Sequence, residues 1–225
     1  MNSTLGLFPL STVLVPGATL RLHIFEERYK QMIGECIAAR RAFGVLLDRE
    51  RRETGDELDP VDIGTAAEIQ EVSLLPEGRL FIVTRGTRRF RVERVICKQP
   101  YWSAEVEFMD EPVGNAAAAS RLRASAVDHF KDYLRALLPA PEPDVDRIEL
   151  PDDAALSSYL IADAMQVDAA AKQRLLEARS AADRLRDEVL ILDRETRRLL
   201  AARERRANDP MASLPAPFDV RFSRN

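Results

Sequence analysis

The stretch Leu5 to Leu47, LGLFPLSTVLVPGATLRLHIFEERYKQMIGECIAARRAFGVLL, decides the fold of this chain. Thr12 to Val15 is apolar and rich in β-branched residues, which predicts a strand. Pro16 and Gly17 supply the fixed φ and the positive φ that the two central positions of a type II turn require. In the run that follows, Leu20, Leu22 and Ile24 alternate with Thr19, Arg21 and His23, the pattern of a half-buried strand. From Glu26 the period changes. Tyr29, Met32, Ile33, Cys36 and Ile37 recur at i, i+3, i+4, i+7 and i+8, giving a helix with one apolar stripe, acidic at its start and closed by Arg40-Arg41 in accord with the macrodipole. Phe43 to Leu47 is apolar without interruption, as a strand covered on both faces is.

Working outward, the pattern up to about Glu111 remains that of short strands. Asp48 to Pro60 (DRERRETGDELDP) has no apolar period and is expected to be a surface loop or hairpin tip. Gly64 to Leu75 and Arg79 to Arg85 flank a Pro76-Glu77-Gly78 turn, and further strands are expected over Thr87 to Ile96 and Ser103 to Met109. Short strands at regular spacing predict a closed or nearly closed sheet. After Glu111-Pro112 the chain turns rich in alanine and leucine, and Ala116 to Leu138 carries Leu122, Ala126, Phe130, Leu134 and Leu137 at helical intervals. Pro139, Pro141 and Pro143 end that helix. Asp152 or Asp153 caps a shorter one through about Val167, another begins near Asp168, and the approximate capping box Ser180 to Asp183 opens a last long helix faced by Leu185, Val189, Leu192 and Leu199. The expected class is α+β: a sheet subdomain over 1–112, a C-terminal α-helical bundle over 113–207 and a tail over 208–225.

One order of residues is specific. Phe8-Pro9-Leu10, Val13-Leu14, Pro16-Gly17, Leu20, Leu22, Ile24-Phe25-Glu26 and Arg28-Tyr29 spell FPLxxVLxPGxxLxLxIFExRY, which resembles the opening of the Lon N-terminal domain family. Gly64-Thr65 with Glu68-Ile69, Pro76 to Leu80, Gly86 with Arg89 to Val92, and Pro100-Tyr101 with Ala104 to Val106 resemble its later strands; Lys172-Gln173, Leu175 to Glu177 and Arg184-Leu185 resemble its helical part. The likeness spans about residues 5 to 200, and several motifs in order are far less accidental than one. Glu27 departs from the proline relatives commonly carry there, which alters only how the helix begins. The resemblance implies a PUA-like β-barrel for the first subdomain and, for the whole, a free-standing module that engages peptide or unfolded polypeptide segments, as an adaptor in protein quality control.

Composition sets compatible limits. A chain of 225 residues buries roughly 70% of the surface its unfolded form exposes, enough for one large domain or two small subdomains without staples. Cys36 and Cys97 lack CxxC spacing, so both are expected to be buried free thiols. The N-terminus lacks the pattern of a signal peptide and nowhere do about 18 apolar residues run together, which points to the cytoplasm and away from membranes. A net charge of −4, from 33 basic and 37 acidic residues, gives no global attraction to nucleic acid.

The chemistry-bearing patterns are missing. A P-loop needs GxxxxGK[ST], and no Gly-Lys pair occurs. The four lysines, at 30, 98, 131 and 172, sit in no serine-lysine peptidase context, and there is no GxSxG. His23 and His129 have no HExxH partner, so no metal site, cofactor or catalytic residue is expected. Arginines at 79, 85, 88, 89, 91 and 94 admit an RNA-binding PUA-like module as the alternative, but Glu93, Glu105 and Glu107 are placed to pair with them and aromatics do not interleave as base stacking requires, so a solvated, salt-bridged strand face is expected. A peptidase-related enzyme is the more remote alternative.

The expected site is a groove between barrel and bundle that combines apolar anchors with an open sheet edge. Candidate peptide-binding anchors are Phe25, Arg28, Tyr29, Tyr101 and Trp102, large groups at element boundaries. A protein partner or a second copy of the chain is the expected neighbour, and the segment LPAPFDVRF, Leu214 to Phe222, is expected to dock on the domain or on that copy.

Overall fold

A computed structural model of the chain describes residues 3–48, 61–138 and 144–207. Most of the expected surface loop (49–60), the proline linker at 139–143 and the tail from 208 onward lie outside the described residues. Six strands and five helices follow in the order β1 (Ser3–Leu10), β2 (Thr19–Ile24), α1 (Glu27–Ala39), β3 (Phe43–Leu47), β4 (Ile63–Leu74), β5 (Leu80–Cys97), β6 (Ser103–Phe108), α2 (Ala116–Leu137), α3 (Ala154–Ala164), α4 (Ala169–Leu176) and α5 (Ala181–Ala207), among the described residues. This is an α+β molecule with its sheet first and its helices after. No helix among the described residues is long and apolar enough to cross a membrane.

The opening strand differs from the sequence expectation. Ser3 to Leu10 forms β1, which runs parallel to β3 and antiparallel to β6, whereas Thr12 to Val15 is irregular chain. The reason is burial from several sides: Val13, Leu14 and Val15 all enter the core, and the Leu14 carbonyl accepts a hydrogen bond from the buried Thr65 hydroxyl at 2.6 Å. The turn itself is as expected, with Gly17 at φ 84° and Ala18 N–H donating to the Val15 carbonyl.

Strand pairings run β2–β5–β4–β3–β1–β6, and β6 pairs in addition with β5. The sequence reads as separate strands on either side of Gly86, yet β5 is a single strand of 18 residues. Its N-terminal half pairs with β2 and its C-terminal half with β6, while β4 pairs along its other side from Leu80 to Arg91. Gly86 marks the changeover. Its N–H donates to Ala18, its carbonyl accepts from Gly17, and a Cβ there would lie 2.4 Å from the Val15 carbonyl oxygen, so only glycine allows this approach.

Helix α1 packs its stripe of Tyr29, Met32, Ile33 and Cys36 into the sheet's core, where Phe8, Phe43, Phe90 and Trp102 are also buried. The fifth member of the stripe, Ile37, is instead 42% exposed. The second core joins α2, α3, α4 and α5 through Ala126, Phe130, Tyr133, Ile161, Leu175, Leu185 and Leu192. Three helix starts carry side-chain caps: Asn115, Asp153 and Asp168 each accept from the backbone N–H three residues on. Ser180 makes a fourth cap, accepting from Asp183 N–H at the start of α5, and the Asp183 carboxylate accepts from the Ser180 hydroxyl, where a capping box would have it accept from the Ser180 backbone.

Sheet and helices meet across a buried ionic knot. Arg89 of β5, 2% exposed, donates to the carbonyls of Leu176 and Ala178 and lies 3.0 Å through Nε from Glu111, a charge contact without the alignment of a hydrogen bond. Arg184 of α5 is fully buried, donates to Glu111, to Ser158 and to the Leu175 carbonyl, and stacks 3.6 Å over the Tyr159 ring, whose hydroxyl donates to Glu111. Arg89 therefore does not belong to a solvated strand face as its sequence pattern suggests. Arg94 does, bonded to Glu105 at 2.7 Å. The thiol expectation divides likewise: Cys36 is buried and Cys97 is exposed.

Candidate functional site

The five candidate anchors fall into three settings. Phe25 follows β2 and is 61% exposed, its ring 6.0 Å from that of His23. Arg28, in the first turn of α1, is held by Glu26 (Nε to Oε2, 2.8 Å), and its guanidinium stands 4.7 Å from the Tyr29 ring centroid. Tyr29 is buried and stacked on Phe8 with centroids 4.1 Å apart. Burial pushes its hydroxyl pKa up, against the pull of the Arg28 charge. These three stand together at the N-terminal end of α1, with only Phe25 and Arg28 offered to solvent.

Tyr101, in the connection between β5 and β6, meets α1 further along, at Glu35. Its hydroxyl donates to the carboxylate of Glu35, and burial, reinforced by that bond, pushes its pKa up to about 12. The same bond lowers the pKa of Glu35. Trp102, although at an element boundary, is 8% exposed: its ring sits in the sheet's core under the Lys98 ammonium at 5.0 Å, and its carbonyl accepts from Leu7 N–H. Tyr29 and Trp102 are thus core aromatics, while Phe25, Arg28 and Tyr101 remain within reach of a ligand.

The junction between sheet and helices, where the sequence places a groove, is filled by the knot around Glu111 and by Gln173, whose amide donates to the Ile63 carbonyl at 2.9 Å. A cavity opens instead inside the sheet unit, between the C-terminal half of α1 and β4. It measures about 330 Å³ and is lined by Cys36, Ile37, Arg41, Ala42, Ile69 and Val72, among others.

Strand register explains it. Residues directly opposite in antiparallel strands share a face, so Leu22, Ile82 and Val72 form one row and Ile24, Leu80 and Leu74 the next. Leu22, Ile24 and Ile82 are buried, whereas Val72 is 45% and Leu74 77% exposed. The cover over the apolar face therefore runs out toward β4, leaving Val72 and Leu74 bare. Ile37, exposed on α1, lines the other side of the same cavity.

A second cavity, about 530 Å³, lies between α2 and the 148–152 segment, but Arg123 in its wall is committed to the carbonyls of Leu150 and Pro151 and to Asp152. No group of three or more His, Cys, Asp or Glu placed to hold a metal occurs among the described residues. Nothing local in the sequence marks Ile37 and Val72 as uncovered, since the cavity follows from where β3 begins beside β4.

Comparison with known proteins bears on what such a surface serves. Residues 4–194 match the family model of the ATP-dependent protease La (LON) substrate-binding domain. The Lon protease of Desulforamulus reducens is 29% identical over 192 residues, which covers 82% of this chain and 24% of that protein. The Lon protease of Cytophaga hutchinsonii is 24% identical over 219 residues, covering 90% and 25% respectively. The chain thus spans about a quarter of the length of these relatives. The crystal structure of a Lon N-terminal domain protein from Xanthomonas campestris aligns with a TM-score of 0.58 at 27% identity, covering 82% of this chain and 95% of that one. The N-terminal domain of the Mycobacterium avium complex Lon protease aligns at 0.60 with 19% identity, covering 87% and 98%, a likeness of fold.

Proposed function

The chain belongs to the LON substrate-binding domain family, and on that premise we propose that it is a non-catalytic module that binds peptide or unfolded polypeptide segments in the cytoplasm, as an adaptor in protein quality control. The observation that carries this reading is the uncovered apolar surface of Ile37 and Val72 at the cavity between α1 and β4, continued along β4 by the exposed Leu74. The cavity brings Ile37, Ile69 and Val72 together with Arg40, Arg41 and Glu68 in one lining, a setting that seats an apolar side chain of a partner chain. The matched family model describes a substrate-binding domain and no ATPase or protease domain, which supports a role in holding chains. The sheet, whose pairings return from β6 to β5, is read here as the PUA-like barrel of the family, with residues 1–112 as its subdomain and 113–207 as the helical one.

RNA binding gains nothing from the site. Arg89 is buried among carbonyls and Arg94 is paired with Glu105, which removes two of the six arginines on which that alternative stood. The test is fluorescence anisotropy of a labelled, permanently unfolded polypeptide (reduced and carboxymethylated) titrated with the chain, in parallel with labelled single-stranded RNA. Saturable binding of the polypeptide with little dependence on salt is expected. Binding of RNA alone, falling steeply with salt, overturns the proposal.

A further inference from the structure

β4 is 12 residues long, yet its neighbour β3 covers it only from Thr65 to Ala67, because upstream of Phe43 the chain departs toward the end of α1 at Arg40. From Glu68 to Leu74 the strand pairs with β5 on one side and, among the described residues, with no strand on the other. Alternate residues of an antiparallel strand turn N–H and C=O away from their partner, and no backbone hydrogen bond among the described residues takes up the outer groups of Glu68 to Leu74. This open main-chain edge borders the cavity faced by Ile37 and Val72.

Resting on the binding role proposed above, we propose that a polypeptide segment docks here in extended form, as an added strand on the β4 edge from Glu68 to Leu74, in line with β3, with an apolar side chain seated between Ile37 and Val72. Two observations fix the chemistry of the occupant. Unpaired main-chain donors and acceptors call for a strand, since a helix offers none along its side. Val72 and Leu74, two apart on one face, call for apolar residues at alternate positions of that strand. The rim carries both signs of charge, Arg40 and Arg41 against Glu68, so apolar alternation sets preference more than net charge does. Affinity then comes from main-chain pairing that any sequence supplies, and selectivity from two or three apolar side chains. That combination fits a receptor for exposed segments of many unfolded proteins.

The test compares two nine-residue peptides of one sequence, valine alternating with threonine, one of them N-methylated at every residue so that neither of its edges keeps a donor. Calorimetry with the whole chain is expected to find the unmethylated peptide bound at least tenfold more tightly. Val72→Asp, at a half-exposed position that leaves the core intact, is expected to weaken the unmethylated peptide at least tenfold. Hydrogen exchange is expected to slow at amides within Glu68 to Leu74 when the peptide is present. Equal binding of both peptides, with no new protection in β4 while unfolded polypeptide is still bound, overturns the edge as the docking place and leaves the binding role standing. Failure to bind any polypeptide overturns both. Edge-mediated pairing of two copies that excludes the peptide, read as a dimer by light scattering, overturns the assignment of occupant.

Discussion

The carboxylate of Glu111 is shared by Arg89 from the sheet and Arg184 from α5, lying 3.0 Å from the Arg89 Nε. One acid thereby serves two buried guanidiniums and the Tyr159 hydroxyl, and it stands at the seam between the two cores. Removing one partner of a buried ion pair leaves an uncompensated charge, at a cost of about 3–5 kcal/mol. Glu111→Ala is expected to destabilise the chain by that amount in urea denaturation. A loss under about 1 kcal/mol would show that water reaches and solvates the arginines.

Glu188, one turn after Arg184, is fully buried with neither carboxylate oxygen hydrogen-bonded. Burial pushes its pKa well up, with Arg184 pulling the other way and Asp187 adding to the rise. The folded chain therefore keeps a proton that the unfolded chain releases, and stability declines as pH climbs from the ordinary glutamate range toward the raised native value. Below that window both states are protonated and the penalty vanishes. Glu188→Gln is expected to melt higher than the parent at about pH 8 and together with it at about pH 4. A variant that melts lower at the higher pH would mean that the ionised carboxylate contributes to stability.

Phe25 and Tyr29 make opposite predictions although both were anchors by sequence. Tyr29→Ala removes a ring stacked in the core and is expected to cost about 3–5 kcal/mol. Phe25→Ala is expected to stay within about 0.5 kcal/mol of the parent, because the ring is largely in solvent. Paired chemical denaturation curves decide this, and equal losses would contradict the burial assigned to either residue.

Gly64 sits in β4 next to Thr65, which pairs with Val45 of β3, and the Val45 carbonyl oxygen lies 2.3 Å from where a Cβ would stand. Gly64→Ala is expected to lower stability by about 1–3 kcal/mol as the strands separate. An unchanged melting temperature would refute that close approach.

The legible parts of the fold were those with local causes. The stripe of α1, the turn at Pro16-Gly17 and the caps at Asp153, Asp168 and Ser180 each depend on neighbours within a few residues. β1 escaped because Gly6 and Pro9 weaken its strand signal. What makes it a strand is pairing with β3 more than thirty residues on, with Gly6 kept small by Met32 and Tyr101. Arg89 read as solvated for the same reason: the carbonyls that receive it lie 87 and 89 residues away. Among the anchors, Phe25 is exposed and Arg28 half-buried, as element boundaries suggest, but the interior closes over Trp102. The cavity was illegible because it arises from the unequal lengths of β3 and β4, which no single segment contains.

The central claim is that this chain holds other chains and has no reactive group of its own. Isothermal titration calorimetry of the chain with a reduced, carboxymethylated polypeptide at low and moderate salt tests it most directly. The account predicts saturable binding with a negative heat-capacity change, weakly dependent on salt, and recovery of the polypeptide intact. Absence of heat at any salt, or cleavage of the polypeptide by the purified chain, would contradict it.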